Sequence, residues 1–303
     1  MSGGEGTTSV EIVEVGPRDG LQTAAVHRIP SERAEMIVRL AAAGIPRIEV
    51  ASLVHPKVIP QMAGAEDLLA ILRERGVLER RQTVLVANRT GYERAIGAGA
   101  SDIRFVYTVS DHFNRLNAGM SAADGLRTGL DIVKDGVDRG MAVGVVLGTA
   151  FGCPYTGAVD PGLVAEAAAR VSEHGASEVI LADTVGVGVP GQVREFSTRT
   201  RGLRARVGFH FHNTRNTGYA NALTAVEGGA EILDASIGGI GGCPFAPNAT
   251  GNIATEDLVY ALEREGVATG IDLDALIGVT SWLGESWGLS LPGMVHRVPA
   301  FPG

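Results

Sequence analysis

Eight short apolar segments alternate with longer helical patterns from one end of the chain to the other, and this alternation limits its possible folds more than any other feature. Each segment is a run of β-branched or apolar residues, and the predicted strands are 10–15, 47–51, 83–87, 102–107, 142–147, 178–181, 207–212 and 231–236. Parallel strands need crossover helices, and eight such units within ~250 residues are typical of a (β/α)8 barrel. An open, doubly wound α/β sheet is the alternative.

The helices are predicted between these strands. Ser31 is expected to cap a helix whose apolar face contains Met36, Ile37 and Leu40 and which ends at Gly44. Thr255 is expected to cap a later helix in the same way, with acidic residues in its first turn. The other predicted helices are 66–75, 91–97, 122–139, 161–174, 190–201 and 219–227.

No shift in composition and no linker-like segment divides the chain. A single barrel domain is therefore expected over residues 1–303, with the barrel itself at about 10–267 and a C-terminal helical extension at about 271–303. The 303 residues are 45% hydrophobic and 20% charged, which is enough apolar material for a large core.

Charge and cysteine content restrict the function and the compartment. The net charge is −8 and no basic cluster is present, so a nucleic-acid partner is not expected. Cys153 and Cys243 are the two cysteines, too few for a disulfide framework, which favours the reducing cytoplasm. No apolar run approaches the ~18 residues that cross a bilayer, so no membrane association is expected either.

Polar side chains follow several of the predicted strands, where the barrel would gather its catalytic groups. Arg18 and Asp19 come after the first strand, Glu49 lies on the second, Asn88 follows the third and Asp183 follows the sixth. The position of these residues predicts an active site at the C-terminal end of the barrel.

Two histidines one residue apart stand out in the seventh strand. Side chains alternate faces along a strand, so His210 and His212 point the same way while Phe209 and Phe211 point the other. With the carboxylate of Asp19 they would suit a divalent cation that keeps positions open for substrate. The alternative is a pair of buried histidines that only hydrogen-bond to backbone carbonyls.

The eighth strand opens into a glycine-rich segment, 238–252, with five glycines around Cys243. Such a segment serves as a flexible lid or supplies backbone amides to an anion. The alternative is an uncommitted surface loop.

An ordered set of motifs over nearly the whole chain resembles the 3-hydroxy-3-methylglutaryl-CoA lyase family. The motifs are GPRDGLQ at 16–22, PKVIPQM at 56–62, GCPY at 152–155, DTVGVG at 183–188, HFH at 210–212, GIGGCPF at 239–245 and GNIATEDL at 251–258. The resemblance implies a TIM barrel that uses a divalent cation to cleave a carbon–carbon bond of a branched 3-hydroxyacyl-CoA. The default substrate is 3-hydroxy-3-methylglutaryl-CoA, which gives acetyl-CoA and acetoacetate in leucine degradation.

The resemblance also implies roles for individual residues. Magnesium or manganese would be held by Asp19, His210, His212 and Asn252. Arg18 would stabilise the developing enolate, Glu49 would support the site, and Cys243 would act as an acid. Asp19 and His210 are both candidates for the base. Gln22 and Asp183 are expected to contact the acyl-CoA substrate, and a homodimer is the expected assembly.

Two segments depart from the family pattern and leave the acyl group open. After the second histidine the family usually continues Asp-Thr-Tyr-Gly, whereas this chain has Arg215 in place of the aromatic residue. Residues 110–117, read as a loop, also differ. Arg215, His112 or Arg115 is predicted to meet a carboxylate or phosphate of the substrate; the alternative is that Arg215 is a solvated surface residue.

Three functions are thus compatible with the sequence. The first is a lyase for 3-hydroxy-3-methylglutaryl-CoA or a relative such as citramalyl-CoA. The second is a Claisen-type synthase of the same superfamily, and the third is a non-catalytic metal- or CoA-binding barrel. Cys243 favours the lyase over the synthase.

Overall fold

The computed structural model describes residues 9–25, 27–77, 82–242 and 251–301. Eight parallel strands form a closed barrel in chain order, and β8 pairs with β1 to complete it. The strands are β1 Glu11–Glu14, β2 Arg47–Ser52, β3 Gln82–Val86, β4 Asp102–Thr108, β5 Ala142–Gly148, β6 Glu178–Asp183, β7 Arg206–Phe211 and β8 Ile232–Ala235. The predicted (β/α)8 barrel is confirmed.

Helices connect the strands and cover the outside of the barrel. They are α1 Pro30–Ala42, α2 Ala65–Glu74, α3 Arg89–Gly97, α4 Asp111–Ala118, α5 Ala122–Asp138, α6 Pro161–Glu173, α7 Pro190–Arg199, α8 Gly218–Glu227, α9 Thr255–Arg264 and α10 Leu273–Trp287. A π-helical turn follows β1 at Gly16–Gly20, and short 3-10 turns lie at Pro60–Met62, Ile237–Gly239 and Val295–Arg297.

Both predicted helix caps are wrong by a residue or two. α1 begins at Pro30, whose fixed φ suits a first helical position, so Ser31 lies inside the first turn and Ile29 precedes the helix. The backbone N–H of Ile29 donates to the carboxylate of Glu32 at 3.1 Å. Thr255 is likewise the first residue of α9, and its hydroxyl donates a hydrogen bond to the buried carboxylate of Glu14.

Most of residues 110–117, read as a loop from the sequence, belong to the helix α4, Asp111–Ala118. Ser110 is its N-cap and accepts a hydrogen bond from the backbone N–H of Phe113. The buried Asn114 fastens the helix to the chain on either side: its Oδ1 accepts from the backbone N–H and the hydroxyl of Thr108, and its Nδ2 donates to the carbonyls of Met120 and Ser121. The segment is short and has few apolar residues, so its helical periodicity was too weak to predict the helix.

Apolar side chains form a large core between strands and helices and a small one inside the barrel. The inner cluster consists of Val13, Val15, Val146, Ile180, Ala182 and Ile232. Charged side chains occupy much of the remaining interior, including Arg104, Glu178 and Asp234. The barrel interior is therefore a mixed layer, apolar in part and ionic in part.

The C-terminal helix α10 packs against α1. The guanidinium of Arg28 lies 4.8 Å from the ring centre of Trp287, and that of Arg39 lies 4.3 Å from Trp282, which are cation–π distances. Among the described residues, no helix is both long and apolar enough to span a membrane.

Gly208 on β7 tests how tightly the barrel interior is packed. An added Cβ would lie 2.6 Å from Ile180 Cδ1 and 2.7 Å from Ile232 Cβ. We expect Gly208→Ala to lower the free energy of unfolding by about 1–3 kcal/mol, measured by denaturant unfolding. The control is Gly278→Ala, on the exposed face of α10, where the new Cβ would meet no described atom within 4 Å apart from its neighbouring residues and the backbone of its own helix. A gain of roughly 0.5–1 kcal/mol is expected there. Equal stability of the two variants would contradict this packing.

Candidate metal centre and active site

The two histidines of the seventh strand point into the barrel, as the alternation of side chains predicts. His210 is the last-but-one residue of β7, His212 follows the strand, and both are buried. Their ring centres are 5.1 Å apart. On the other side of the strand Phe209 and Phe211 stack at 5.5 Å in the outer core, which fixes the orientation of the strand and therefore of the imidazoles.

The π-helical turn brings Asp19 to the histidines. The backbone N–H groups of Arg18, Asp19 and Gly20 all donate to the carbonyl of Val15, at 3.1, 2.7 and 3.2 Å, and so fold the chain tightly over the end of β1. Asp19 Oδ2 lies 4.0 Å from His210 Nε2 and 3.8 Å from the Nε2 of His212. One potential ligand atom from each of these three residues lies within 4.8 Å of the others.

Asn252 joins the same cluster from beyond the eighth strand. An isolated antiparallel bridge pairs it with His212, and its Nδ2 donates to Asp19 Oδ2 at 2.8 Å and to the carbonyl of Ile240 at 3.2 Å. Asn252 Oδ1 and His212 Nδ1 are buried without a hydrogen-bond partner in the described part of the chain. A carboxylate, two imidazoles and an amide oxygen without a hydrogen-bond partner are ligand types that suit a divalent cation.

Charges around Asp19 favour its ionised form, the form in which a carboxylate can bind a cation. Burial alone would raise the pKa of Asp19, but the guanidinium of Arg18 and the imidazoles of His210 and His212 hold it well below its usual range. Arg18 Nη1 lies 2.5 Å from Asp19 Oδ1, and its Nε contacts the fully buried carboxylate of Glu49. Glu49 precedes a register shift in β2, and such irregularities re-aim side chains near active sites.

A carboxylate also supports His210 from inside the barrel. Asp234 on β8 has its Oδ2 3.2 Å from His210 Nδ1. Burial acts to raise the pKa of Asp234, yet the nearby guanidinium of Arg104 and the contact with His210 lower it. A carboxylate on Nδ1 leaves the other ring nitrogen, Nε2, directed at Asp19, which is the arrangement that metal-bound histidines usually have.

Five of these residues, Arg18, Asp19, His210, His212 and Asp234, line one cavity. Its walls come from the ends of the strands and from the loops above them, and it encloses about 850 Å³ including its open mouth. Arg18, Asp19, His210 and His212 lie on one side. Apolar and small residues from neighbouring strands form much of the rest, namely Leu85, Val106, Val146, Gly148 and Ala182.

Helix α4 supplies a wall of this cavity that the sequence did not reveal. Phe113 and Asn117, one helical turn apart, both line it. The capping Ser110 followed by polar and apolar residues at helical spacing was the available signal. Thr23, Thr108 and Thr184 add hydroxyl groups that were not predicted either.

The remaining predicted site residues are placed differently from one another. Gln22 lines the cavity. Asp183 lies behind it and accepts hydrogen bonds from the backbone N–H groups of Val187 and Gly188, both at 2.9 Å, so it shapes the loop after β6. Cys243 lies outside the described residues.

The three side chains predicted to select the acyl group lie outside the set that lines the cavity. Arg215 donates from Nη1 to the carbonyls of Val185 and Gly186, both at 3.0 Å. Arg115 pairs with Asp111 at 2.8 Å on the exposed face of α4, and the ring of His112 lies 5.0 Å from that of Tyr155. In this arrangement the cavity-facing residues of α4 are Phe113 and Asn117 instead.

Comparison with known proteins identifies the class. The HMGL-like family model matches residues 9–282, and the chain belongs to this family. The protein is accordingly an enzyme, a carbon–carbon lyase on a (β/α)8 barrel.

Individual relatives cover nearly the whole chain. It is 46% identical to the (R)-citramalyl-CoA lyase of Chloroflexus aurantiacus, over 97% of this chain and 96% of the relative. It is 37% identical to a hydroxymethylglutaryl-CoA lyase of Bacillus subtilis, over 93% and 95% of the two chains. Among solved structures, an HMG-CoA lyase from Acinetobacter baumannii in complex with coenzyme A and 3-methylmalate has a TM-score of 0.89 and 33% identity, and all of both chains is covered.

A buried carboxylate, that of Glu14, lies beneath the site. Glu14 Oε1 accepts from the backbone N–H groups of Gly16 and Ile237 at 2.7 and 2.9 Å, and Oε2 accepts from the hydroxyl of Thr255 at 2.6 Å. Burial is the largest cause of the raised pKa of Glu14, which is about 7. The three hydrogen bonds act to lower this pKa, and the nearby carboxylate of Glu256 acts to raise it further. One carboxylate thus ties together the loops after β1 and β8.

Since the pKa of Glu14 is higher in the folded than in the unfolded chain, the folded state binds the proton more tightly. We therefore expect the contribution of Glu14 to stability to fall as pH rises from about 4.5 to 7, by up to ~3 kcal/mol. The measurement is the free energy of unfolding of the wild type minus that of Glu14→Gln at several pH values. Glu265→Gln, at an exposed position just after α9, is the control, and a difference that does not change with pH would refute the expectation.

Proposed function

We propose that this protein is a divalent-metal-dependent lyase that cleaves a branched 3-hydroxyacyl-CoA into acetyl-CoA and an oxo acid. The observation that carries the proposal is one cavity in which Arg18 adjoins the cluster of Asp19, His210 and His212. The cation site would bind the oxygens near the carbinol carbon of such a substrate. The guanidinium beside it would neutralise the negative charge that develops on the thioester part as the bond breaks.

Asp19, His210, His212 and Asn252 would hold the cation, with magnesium or manganese as the proposed ion. When bound, the ion would polarise the hydroxyl of the substrate and lower its pKa. The carboxylate of Asp234 keeps His210 turned so that Nε2 faces the cluster. Glu49 keeps the guanidinium of Arg18 beside it.

Groups of this chain would supply the base and the acid that the reaction needs. A base takes the hydroxyl proton, the oxygen forms a ketone, and the bond between the carbinol carbon and the thioester α-carbon breaks. Its electron pair passes to the thioester as an enolate, whose oxygen the guanidinium of Arg18 neutralises. Protonation of the α-carbon completes acetyl-CoA, and we assign that proton to Cys243 on the family resemblance. Asp19 and His210 stay the two proposals for the base.

A groove beside the cavity supports a CoA thioester as the substrate. It shares Thr23 and Gly242 with the cavity, and its other lining residues include Gly239, Gly241 and the C-terminal residues Leu289, Ser290 and Pro292. Glycines expose backbone and leave room for a long, thin arm such as pantetheine. The Acinetobacter relative was solved in complex with coenzyme A, which supports a CoA thioester as the substrate.

The relatives favour (R)-citramalyl-CoA over the default substrate of the family. Identity is 46% to the citramalyl-CoA lyase, against 37% to the Bacillus hydroxymethylglutaryl-CoA lyase. The two acyl groups differ by one methylene between the carbinol carbon and the free carboxylate, so cleavage gives pyruvate in one case and acetoacetate in the other. We therefore propose (R)-citramalyl-CoA as the first substrate and 3-hydroxy-3-methylglutaryl-CoA as the second.

The test is to incubate the purified protein with manganese or magnesium, reductant and each thioester. Pyruvate would be followed with lactate dehydrogenase and acetoacetate with 3-hydroxybutyrate dehydrogenase. We expect chelation of the metal to abolish activity and its return to restore it. We also expect kcat/KM to favour citramalyl-CoA by roughly 10–200-fold, the range for one methylene in a fitted pocket. A failure to cleave either ester with metal bound would refute the lyase proposal, and a reversed preference would reverse the order of substrates.

Arg18→Met tests the enolate role of the guanidinium. Because its charge is needed mainly when the enolate forms, we expect kcat to fall by about 100–1,000-fold with a smaller change in KM. Arg199→Met is the matched control, since Arg199 pairs with Glu195 at 2.9 Å on an exposed face of α7. A loss confined to KM would mean that Arg18 only binds substrate.

A further inference from the structure

A buried arginine at the centre of the barrel contacts two carboxylates that in turn contact His210 and Arg18. Arg104 on β4 is fully buried. Its Nη1 lies 2.9 and 3.0 Å from the two oxygens of Asp234, and its Nε lies 2.6 Å from Glu178 Oε1. Nη1 also lies 3.5 Å from Glu49 Oε2. Three carboxylates from three strands therefore surround one guanidinium.

Two of these carboxylates each hold a residue of the active site. Asp234 contacts His210 Nδ1, and Glu49 contacts Arg18 Nε. Since Nη1 of Arg104 contacts both oxygens of Asp234, the rotation of that carboxylate is fixed with Oδ2 towards the imidazole. Arg104 touches neither the histidine nor Asp19, so its effect on them passes through its partners.

We propose that Arg104 is a positioning residue, which sets His210 for cation binding through Asp234 and sets Arg18 for catalysis through Glu49. The inference rests on the metal site of the proposed function. Without the guanidinium, the three buried carboxylates would repel one another, and nothing would fix the rotation of the Asp234 carboxylate. Its rotation would remove the fixed acceptor on His210 Nδ1, and removal of such a partner typically weakens metal affinity about 10–100-fold.

Arg47 provides a matched control within the same ionic network. It lies on β2 with a nearly buried side chain and contacts Glu178 at 2.5 Å, Glu11 at 3.1 Å and Asp102 at 3.6 Å. It therefore shares Glu178 with Arg104, but none of its contacts is a proposed metal ligand or a neighbour of one. A purely structural role of the network would make the two arginines equivalent.

The experiment measures Mn²⁺ affinity by titration calorimetry on the folded wild type, Arg104→Met and Arg47→Met, with folding verified by circular dichroism. We expect Mn²⁺ to bind Arg104→Met about 10–100-fold more weakly and Arg47→Met like the wild type. In the acyl-CoA assay we expect kcat of Arg104→Met to fall more than KM changes, because the cavity walls are retained. Unchanged affinity in Arg104→Met, or an equal loss in both variants, would overturn the proposal.

Arg104→Lys and Arg47→Lys keep the experiment decisive if a methionine variant does not fold. Lysine keeps the charge, but its single ammonium cannot reproduce the forked contacts to Asp234 and Glu178. We expect Arg104→Lys to bind Mn²⁺ more weakly than the wild type, with a smaller loss than the methionine variant, and Arg47→Lys to be unchanged. A wild-type affinity of Arg104→Lys would overturn the proposal.

The outcomes separate this inference from the proposed function. A wild type that binds no divalent cation would refute the metal site itself. A wild type that binds Mn²⁺ but cleaves no acyl-CoA would refute the lyase proposal, while a selective affinity loss in the Arg104 variants would still support the positioning role.

Discussion

The pairing of β1 with β8 is the contact on which the active site depends. Glu11–Glu14 lie in register with Ile232–Ala235, and this parallel ladder closes the barrel. Closure brings Asp19, just after β1, to the histidines at the end of β7 and to Asn252 beyond β8. The hydrogen bond from Asn252 Nδ2 to Asp19 Oδ2 joins residues 233 positions apart. Glu14 reinforces the same junction, since its carboxylate binds backbone on both sides of it.

Local pattern was enough to predict the barrel and the orientation of the histidines. Strand alternation places His210 and His212 on one face whatever their neighbours are, and polar residues at strand ends converge in any closed parallel barrel. The residues that support the histidines could not be predicted from the sequence. Asp234 and Arg104 come into contact only across the barrel, and their spacing along the chain does not indicate this contact. Helix α4 was missed for a local reason: eight residues with few apolar positions give a weak periodic signal.

The ionic interior carries a cost as well as a benefit. Charged groups in a barrel lose hydration that their mutual attraction only partly replaces, and an apolar interior of equal volume would often be as stable. Arg104, Glu178 and Asp234 instead give the interior a fixed hydrogen-bond geometry. These three charged side chains are buried in the barrel that also contains the inner apolar cluster of Val13, Val146, Ile180 and their neighbours. Stability and active-site geometry therefore draw on the same residues.

Helix α4 is attached to the barrel by the side chain of Asn114. All four hydrogen-bonding positions of the Asn114 amide are used, and they join the end of β4 to the turn before α5. The helix is thus held at its two borders, and Phe113 and Asn117 lie on its cavity side. Substitutions at these two positions would change the wall of the cavity without removing any hydrogen bond of the Asn114 amide. The shape of the cavity can therefore vary at α4 while the cluster of Asp19, His210 and His212 keeps its own supports.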